Sequence, residues 1–371
     1  MKVDLLTLHC IKNYGSVLQT YATEQLLGDY FDEVETINFI RSDTADETLM
    51  DEWTRNDHGV KKMIKRVALA PMCNRYKAVF NSFLQKYVHT TEQKYYCDED
   101  FKKYPITADA YCIGSDQVWN SSWNQGFLPA MFLAFAPDNA MKFAFCSSFG
   151  KTKLSEEEKK QASPLLDRLE YISVRESTAL PVLESMGIKN GIHLLDPTLL
   201  LPSAFWDRIA AKRLVDHDYI LVYQLNDGEK FDNYAKEFAR RKGLPLVHIG
   251  MRMKYKKKEG KVFIMPEVEE FLSLIKYASY VITDSFHGTA FSINYNREII
   301  DIYPEEFSTR LHSILDWAGL LSRHLTDYSN FQIADEPVDY KPINDKLEIE
   351  RNKAREYLKV VAEQTAANKR R

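Results

Sequence analysis

The chain has 371 residues, 45% of them hydrophobic, and a formal net charge of −4 from 49 basic and 53 acidic side chains. That length is about twice a typical domain, so two domains with ordinary cores are expected. The slight acid excess argues against a general nucleic-acid binder, no apolar run is long enough to span a bilayer, and five scattered cysteines in neither metal-knuckle nor redox spacing read as buried free thiols.

The opening residues MKVDLLTLHC read as a strand without the layout of a signal peptide, so a cytoplasmic protein is expected. From there short apolar runs alternate with amphipathic stretches, the pattern of α/β layers. Strands are expected at 2–9, 34–39, 109–113, 141–147, 171–174, 192–195, 219–223, 245–249, 261–264, 279–283 and 298–303. Helices are expected at 16–28, 61–87, 155–168, 177–186, 230–242, 267–277 and 288–295. Those starting at 177 and 230 end on Met186-Gly187 and Lys242-Gly243, fair C-caps. DPTLLLPSAFW (196–206) reads as the linker, which gives domains at 1–200 and 201–341. The last segment, 342–371, carries a polar helix too weakly apolar for a core of its own, expected to lie back on the first domain.

Charge is unevenly spread. Acids dominate from Arg41 to Asp57, whereas Lys61 to Thr91 contains none and carries Lys61, Lys62, Lys65, Arg66, Arg75, Lys77 and Lys86. MRMKYKKKEGK (251–261) is a second basic stretch. In KKMIKRVALA (61–70), Met63, Ile64, Val67 and Ala68 reach one helical face with Lys61, Lys62, Lys65 and Arg66 around it. Such a helix either lies on an anionic membrane with its apolar side inserted or packs on its domain with the lysines in water.

Residues just after the strands are repeatedly small or polar: Asn13-Tyr14-Gly15, Gly114 to Gln117, Ser147 to Gly150, Arg175-Glu176, Asp196 to Thr198, Gln224, Asn226 and Asp284 to Gly288. In doubly wound sheets ligands bind at the carboxyl ends of strands, so these groups are expected to converge on a crevice, in a cleft between the domains. VITDSFHGTAFSI (281–293) feeds a strand straight into a helix, whose first amides and dipole favour an anion. Asp284 or Ser285 can cap, Gly288 admits a ligand to the backbone, and Thr289 adds a hydroxyl. His287 titrates near neutrality and can donate a proton or brace an anion; alternatively it only pins the helix start. Arg175 can grip a carboxylate or phosphate with two parallel bonds, or pair with the neighbouring helix. Asp116 can orient or deprotonate a hydroxyl, or merely cap, and Trp119 offers a platform for a sugar ring. Asn13, Tyr14 and Gly15 open a loop that suits a ligand but lacks the dinucleotide glycine fingerprint.

Together these stretches resemble the polysaccharide pyruvyltransferase family. The resemblance runs in order through LHCIKNYGSVLQTYA, DAYCIGSDQVWN, FAFCSSFGK, YISVRES, LLDPTLLL, YVITDSFHGTAFSI and STRLHSILDWAGL, over about residues 3–322. It implies two Rossmann-like α/β domains facing each other in a GT-B-like arrangement. It also implies transfer of pyruvate from phosphoenolpyruvate to a sugar of a cell-surface polysaccharide, or its lipid-linked precursor, as a cyclic ketal. On that reading His287 and Asp116 are catalytic, while Arg175, Ser285, Gly288, Thr289 and Arg310 hold the donor. Asn13, Tyr14, Gly15, Gln117 and Trp119 meet the acceptor, and neither metal nor cofactor is needed. Many members carry an arginine two residues before the histidine, where this chain has Ser285; the missing charged hydrogen bond is worth about 1.5–3 kcal/mol. Arg310 in STRLH is the expected compensation. A glycosyltransferase using a nucleotide sugar and a non-catalytic sugar-binding protein are the competing readings.

Overall fold

The computed structural model describes residues 1–304 and 308–370, and twelve strands among them form two sheets whose pairs are all parallel. The first comprises β1 (Lys2–Leu6), β2 (Glu33–Phe39), β3 (Thr90–Tyr95), β4 (Ala110–Ile113), β5 (Met141–Ser147), β6 (Tyr171–Val174) and β7 (Gly191–His193), in the order β3-β2-β1-β4-β5-β6-β7. The second comprises β8 (Ile220–Tyr223), β9 (Leu246–Gly250), β10 (Lys261–Ile264), β11 (Tyr280–Thr283) and β12 (Glu298–Asp301), in the order β10-β9-β8-β11-β12. Central strands such as β5 and β8 are buried along their whole length, as parallel strands covered on both faces must be. Edge strand β3 was not expected. Only Thr91 and Tyr95 of its six residues are buried, so it lacks the apolar run that marks the others.

The helices that position the site are α1 (Tyr14–Gly28), α2 (Leu49–Trp53), α3 (Gly59–Tyr87), α4 (Glu156–Leu166), α5 (Glu229–Lys242), α6 (Val268–Lys276), α7 (Phe286–Asn294), α8 (Ser308–Ala318) and α9 (Lys341–Lys369). Helix α4 starts on a reciprocal capping box between Ser155 and Glu158, and α5 ends at Gly243 with φ of 65°, a left-handed stop that suits glycine. The expected helix at 177–186 is instead a 3₁₀ turn, Ser177–Ala179, followed by one short helix, Leu180–Glu184.

Two units result, Met1–Leu200 with Ile349–Arg371, and Leu201–Glu348. The expected boundary at 341 therefore moves, because residues up to Glu348 of α9 belong to the second unit; Arg371 lies outside the described residues. In the first unit α9 covers the sheet. The Tyr357 hydroxyl donates to the Ala144 carbonyl at 2.8 Å, its ring stacks on Phe145, and Arg351 Nε donates to the Leu199 carbonyl at 3.1 Å.

Candidate active site

In the second unit, the site begins where β11 turns directly into α7. Ser285 is the N-cap; its hydroxyl oxygen accepts from the Gly288 amide at 3.3 Å, while its own N–H donates to Thr283 Oγ1 at 3.0 Å. The helix therefore starts at Phe286, earlier than the expected 288, and His287 lies inside the first turn, 8% exposed. Gly288 serves packing rather than ligand approach: a Cβ there would lie 2.6 Å from Thr283 Oγ1 and 3.2 Å from the Tyr223 ring. Thr289 does not face a ligand either. Its hydroxyl lies within hydrogen-bond reach of Asp301 Oδ2, at 2.8 Å, and of the Ser285 carbonyl, at 3.0 Å, and the residue is fully buried.

Asp284 leaves the capping role to Ser285. Its carboxylate instead accepts from the Leu225 amide at 2.6 Å, the Asn226 amide at 2.8 Å and the Asn226 side chain at 3.0 Å. The loop after β8 is thereby fastened to the start of α7. Burial pushes the Asp284 pKa up, with those N–H bonds opposing it. Burial drives Asp301 well above the usual carboxylate range, opposed by Thr289 and reinforced by Asp284. A half-buried Arg310 on α8 lies over the Phe286 ring, its guanidinium carbon 5.9 Å from the ring centre. Cation, histidine and positive helix end thus share one corner, a combination suited to an anionic group.

In the first unit, β1 and β4 flank the point where strand order reverses, the crevice expected to take a ligand. Gly114 is needed there, since a Cβ would come within 2.9 Å of Leu5 Cδ1 and Thr7 Cβ. Asp116 follows with φ of 71°, a left-handed backbone that aspartate tolerates better than bulkier residues. It accepts from Ser16 Oγ at 3.2 Å across the crevice and from the Gln117 amide at 2.9 Å. Asn13 caps α1, accepting from the Ser16 amide at 2.7 Å, which places that serine.

Arg175 departs from its expected role. Its side chain is 1% exposed and meets Asp196 at 2.9 Å, Asp116 at 3.4 Å and Glu176 at 3.6 Å. Burial alone would depress its pKa; attraction from Asp116, Asp196 and Glu176 overrides this and raises it. Glu176 also accepts from the Ser148 hydroxyl, and Asp196 from Thr198. This guanidinium is matched by the protein's own carboxylates and holds Asp116 in place.

Two of the expected acceptor contacts are core residues. Trp119 is 3% exposed, donates its indole N–H to the Met131 carbonyl at 3.0 Å and packs among Phe132 and Phe149. Tyr14 is fully buried edge-on to Phe80, and Gly15 is buried beside it in α1. Gln117 is also buried, its amide oxygen accepting from Asn120 at 2.7 Å. Polar lining is found instead in a cavity of about 220 Å³ whose walls include His9, Asn38, Asp46, Asn81, Gln85 and Lys94. There Asp46 pairs with Lys12 at 2.7 Å and accepts from Asn81 at 2.6 Å. Burial pushes the His9 pKa down, opposed by bonds to Asn38 and the Thr7 carbonyl.

A family model described as polysaccharide pyruvyl transferase matches residues 13–305, more than three quarters of the chain. The chain belongs to that family. It is accordingly a pyruvyltransferase enzyme, and among curated proteins no sequence matches it. Solved structures place the fold of this family member. UDP-N-acetylglucosamine 2-epimerase from Rickettsia bellii is similar at a TM-score of 0.56 and 9% identity, covering 98% of this chain and 97% of that one. The epimerase from Methanocaldococcus jannaschii gives 0.51 at 12% identity over 92% and 94%, and that from Neisseria meningitidis 0.51 at 9% over 98% and 94%. These likenesses establish the fold, two α/β units of the GT-B class, as the sequence motifs implied.

Reading strand ends hid some of the site. With the last strand run to 303 and the first to 9, Asp301 and His9 looked like strand interiors, whereas those strands end at Asp301 and Leu6. Ending each run at its last fully apolar pair would have exposed both residues.

Proposed function

We propose that this family member takes pyruvate from phosphoenolpyruvate and sets it on two hydroxyls of a sugar, in a cell-surface polysaccharide or its lipid-linked precursor, as a cyclic ketal. The observation that carries the donor assignment is the meeting of His287, Arg310 and the N-terminal turn of α7 in one corner. Phosphoenolpyruvate is a small, doubly anionic molecule, and a helix start flanked by a guanidinium stabilises such charge. His287 protonates the methylene carbon, or braces the phosphate, as a sugar hydroxyl bonds to the enol carbon that bears the phosphate. The second hydroxyl then displaces phosphate from that carbon. One hydroxyl proton ends on the new methyl group and the other on the released phosphate, so atoms balance without an oxidant or reductant.

In the first unit, Asp116 accepts the hydroxyl proton, with Ser16 and Arg175 fixing its carboxylate. The acceptor's sugar ring occupies the polar cavity beside His9 and Asn38, whose amides and carboxylate suit hydroxyl groups. Incubation with phosphoenolpyruvate and a panel of soluble and lipid-linked glycans tests the reading. Phosphate release with a mass gain matching pyruvylation supports it. Glycosyl transfer from a nucleotide sugar, or glycan binding with no turnover of either donor, overturns it in favour of the competing readings.

A further inference from the structure

Helix α3 is built the wrong way round along its first three turns. Its second half is anchored in ordinary fashion, with Met72, Cys73, Val79, Phe80 and Phe83 buried and Tyr76 packed between Trp53 and Phe80. In the first half the large apolar side chains face water: Val60 is 70% exposed, Met63 65%, Ile64 65% and Val67 72%. Spaced at i, i+3, i+4 and i+7, they form one continuous stripe. Scattered exposed apolar residues need no explanation, but an aligned stripe marks a contact surface.

The inversion has a visible cause. Asp57, at the end of the loop before α3, and Asp51 on α2 attract the opposite side of the helix. Lys65 meets Asp57 at 2.5 Å and Lys61 meets it at 3.6 Å, while Lys62 lies 3.6 Å from Asp51 and Arg66 bonds the same carboxylate. Of the two arrangements the sequence allows, the packed one, apolar side inward and lysines in water, is reversed by two carboxylates that the 61–91 pattern does not contain.

We propose that this stripe is a docking surface for a bilayer containing anionic lipid. The four cations outnumber the two carboxylates they touch, and neighbouring Glu52 is already met by Arg55 at 3.5 Å. The rim is therefore positive, which complements anionic headgroups and disfavours laying the stripe against the same stripe of a second copy. Val60, Met63, Ile64 and Val67 insert among the acyl chains without needing a shaped partner. Lys61, with its side chain 83% exposed, and its neighbours reach headgroups by extending their stems, because exposed ion pairs exchange at little cost. Among the described residues no helix is long and apolar enough to cross a membrane, so the contact is peripheral. It goes beyond the proposed reaction and does not depend on either substrate.

Co-sedimentation of the full chain with vesicles of phosphatidylcholine, with or without phosphatidylglycerol, tests the docking. Wild type is expected to bind the anionic vesicles, with affinity reduced but not abolished by high salt. The triple variant Met63→Gln, Ile64→Gln, Val67→Gln keeps the charge, and its affinity is expected to fall by about 10-fold or more with the melting temperature held or raised. Equal vesicle binding by both proteins overturns the proposal, as does wild type that binds neither vesicle. A lipid-free dimer in sedimentation equilibrium, dissolved by the same triple variant, also overturns it and assigns the stripe to a second copy.

Discussion

The two units treat buried charge in opposite ways. In the first, Arg175 is surrounded by Asp116, Asp196 and Glu176, so its charge is spent inside the protein. In the second, the acids near α7 are engaged elsewhere: Asp284 is held by the amides of the loop after β8, and Asp301 is met by the Thr289 hydroxyl, with burial raising its pKa. Whether an arginine is left to serve a ligand thus depends on whether carboxylates from distant segments have already claimed it.

The largest effect expected from this contrast is on turnover. His287→Ala should lower kcat by about 10²–10⁴-fold, the range of general acid catalysis, with little change in melting temperature. A variant keeping most of its kcat would remove the histidine from the chemistry. Stability separates the two arginines next. Arg175→Ala leaves carboxylates buried without their counter-charge and should cost about 3–5 kcal/mol in urea denaturation, whereas Arg310→Ala should cost about 0.5 kcal/mol or less. Similar urea midpoints for both would erase the distinction between brace and grip.

Donor kinetics sharpen the same comparison. Arg310→Ala should raise KM for phosphoenolpyruvate about 10-fold, or ~1.4 kcal/mol, with a smaller change in kcat. Adding Ser285→Arg should recover part of that loss while removing the α7 cap, at about 1 kcal/mol of stability. An unchanged KM would take Arg310 out of the donor site.

The most gradual effect is a slope. Because the folded pKa of Asp301 lies above its ordinary value near 3.8, the folded state holds a proton that the unfolded chain releases. Stability from this group is full below that value and falls as pH rises toward the folded pKa. Asp301→Asn removes the slope, so its stability relative to wild type should improve as pH rises above the ordinary aspartate value, by at most ~1.4 kcal/mol per pH unit. Parallel urea midpoints across that range would mean that Asp301 is ionised.

Much of the architecture was legible because parallel strands announce themselves as apolar runs, and because the residues after them gather at one edge. What stayed hidden depended on non-local matching. Arg175 meets Asp196 from 21 residues away and Asp116 from 59, and nothing in YISVRES indicates that both will arrive. Trp119 and Tyr14 sit beside polar loops in sequence, yet Phe149 and Phe80 enclose them from other segments. The 61–70 pattern identified which residues share a face but not which face turns inward. Asp51 and Asp57 decided that from outside the pattern.

Helix α9 sets an order of assembly. Ribosomal synthesis delivers the first sheet early, but the residues that close it, Tyr357 over Phe145 and Arg351 against Leu199, emerge only after the whole second unit. The second unit has all its residues once Glu348 has been made. Domains generally mature in the order of synthesis; here the N-terminal unit waits, with Phe145 uncovered, until the residues after Glu348 return to it. Arrested nascent chains released before residue 349 should therefore hold a protease-resistant second unit beside a first unit that is still being digested.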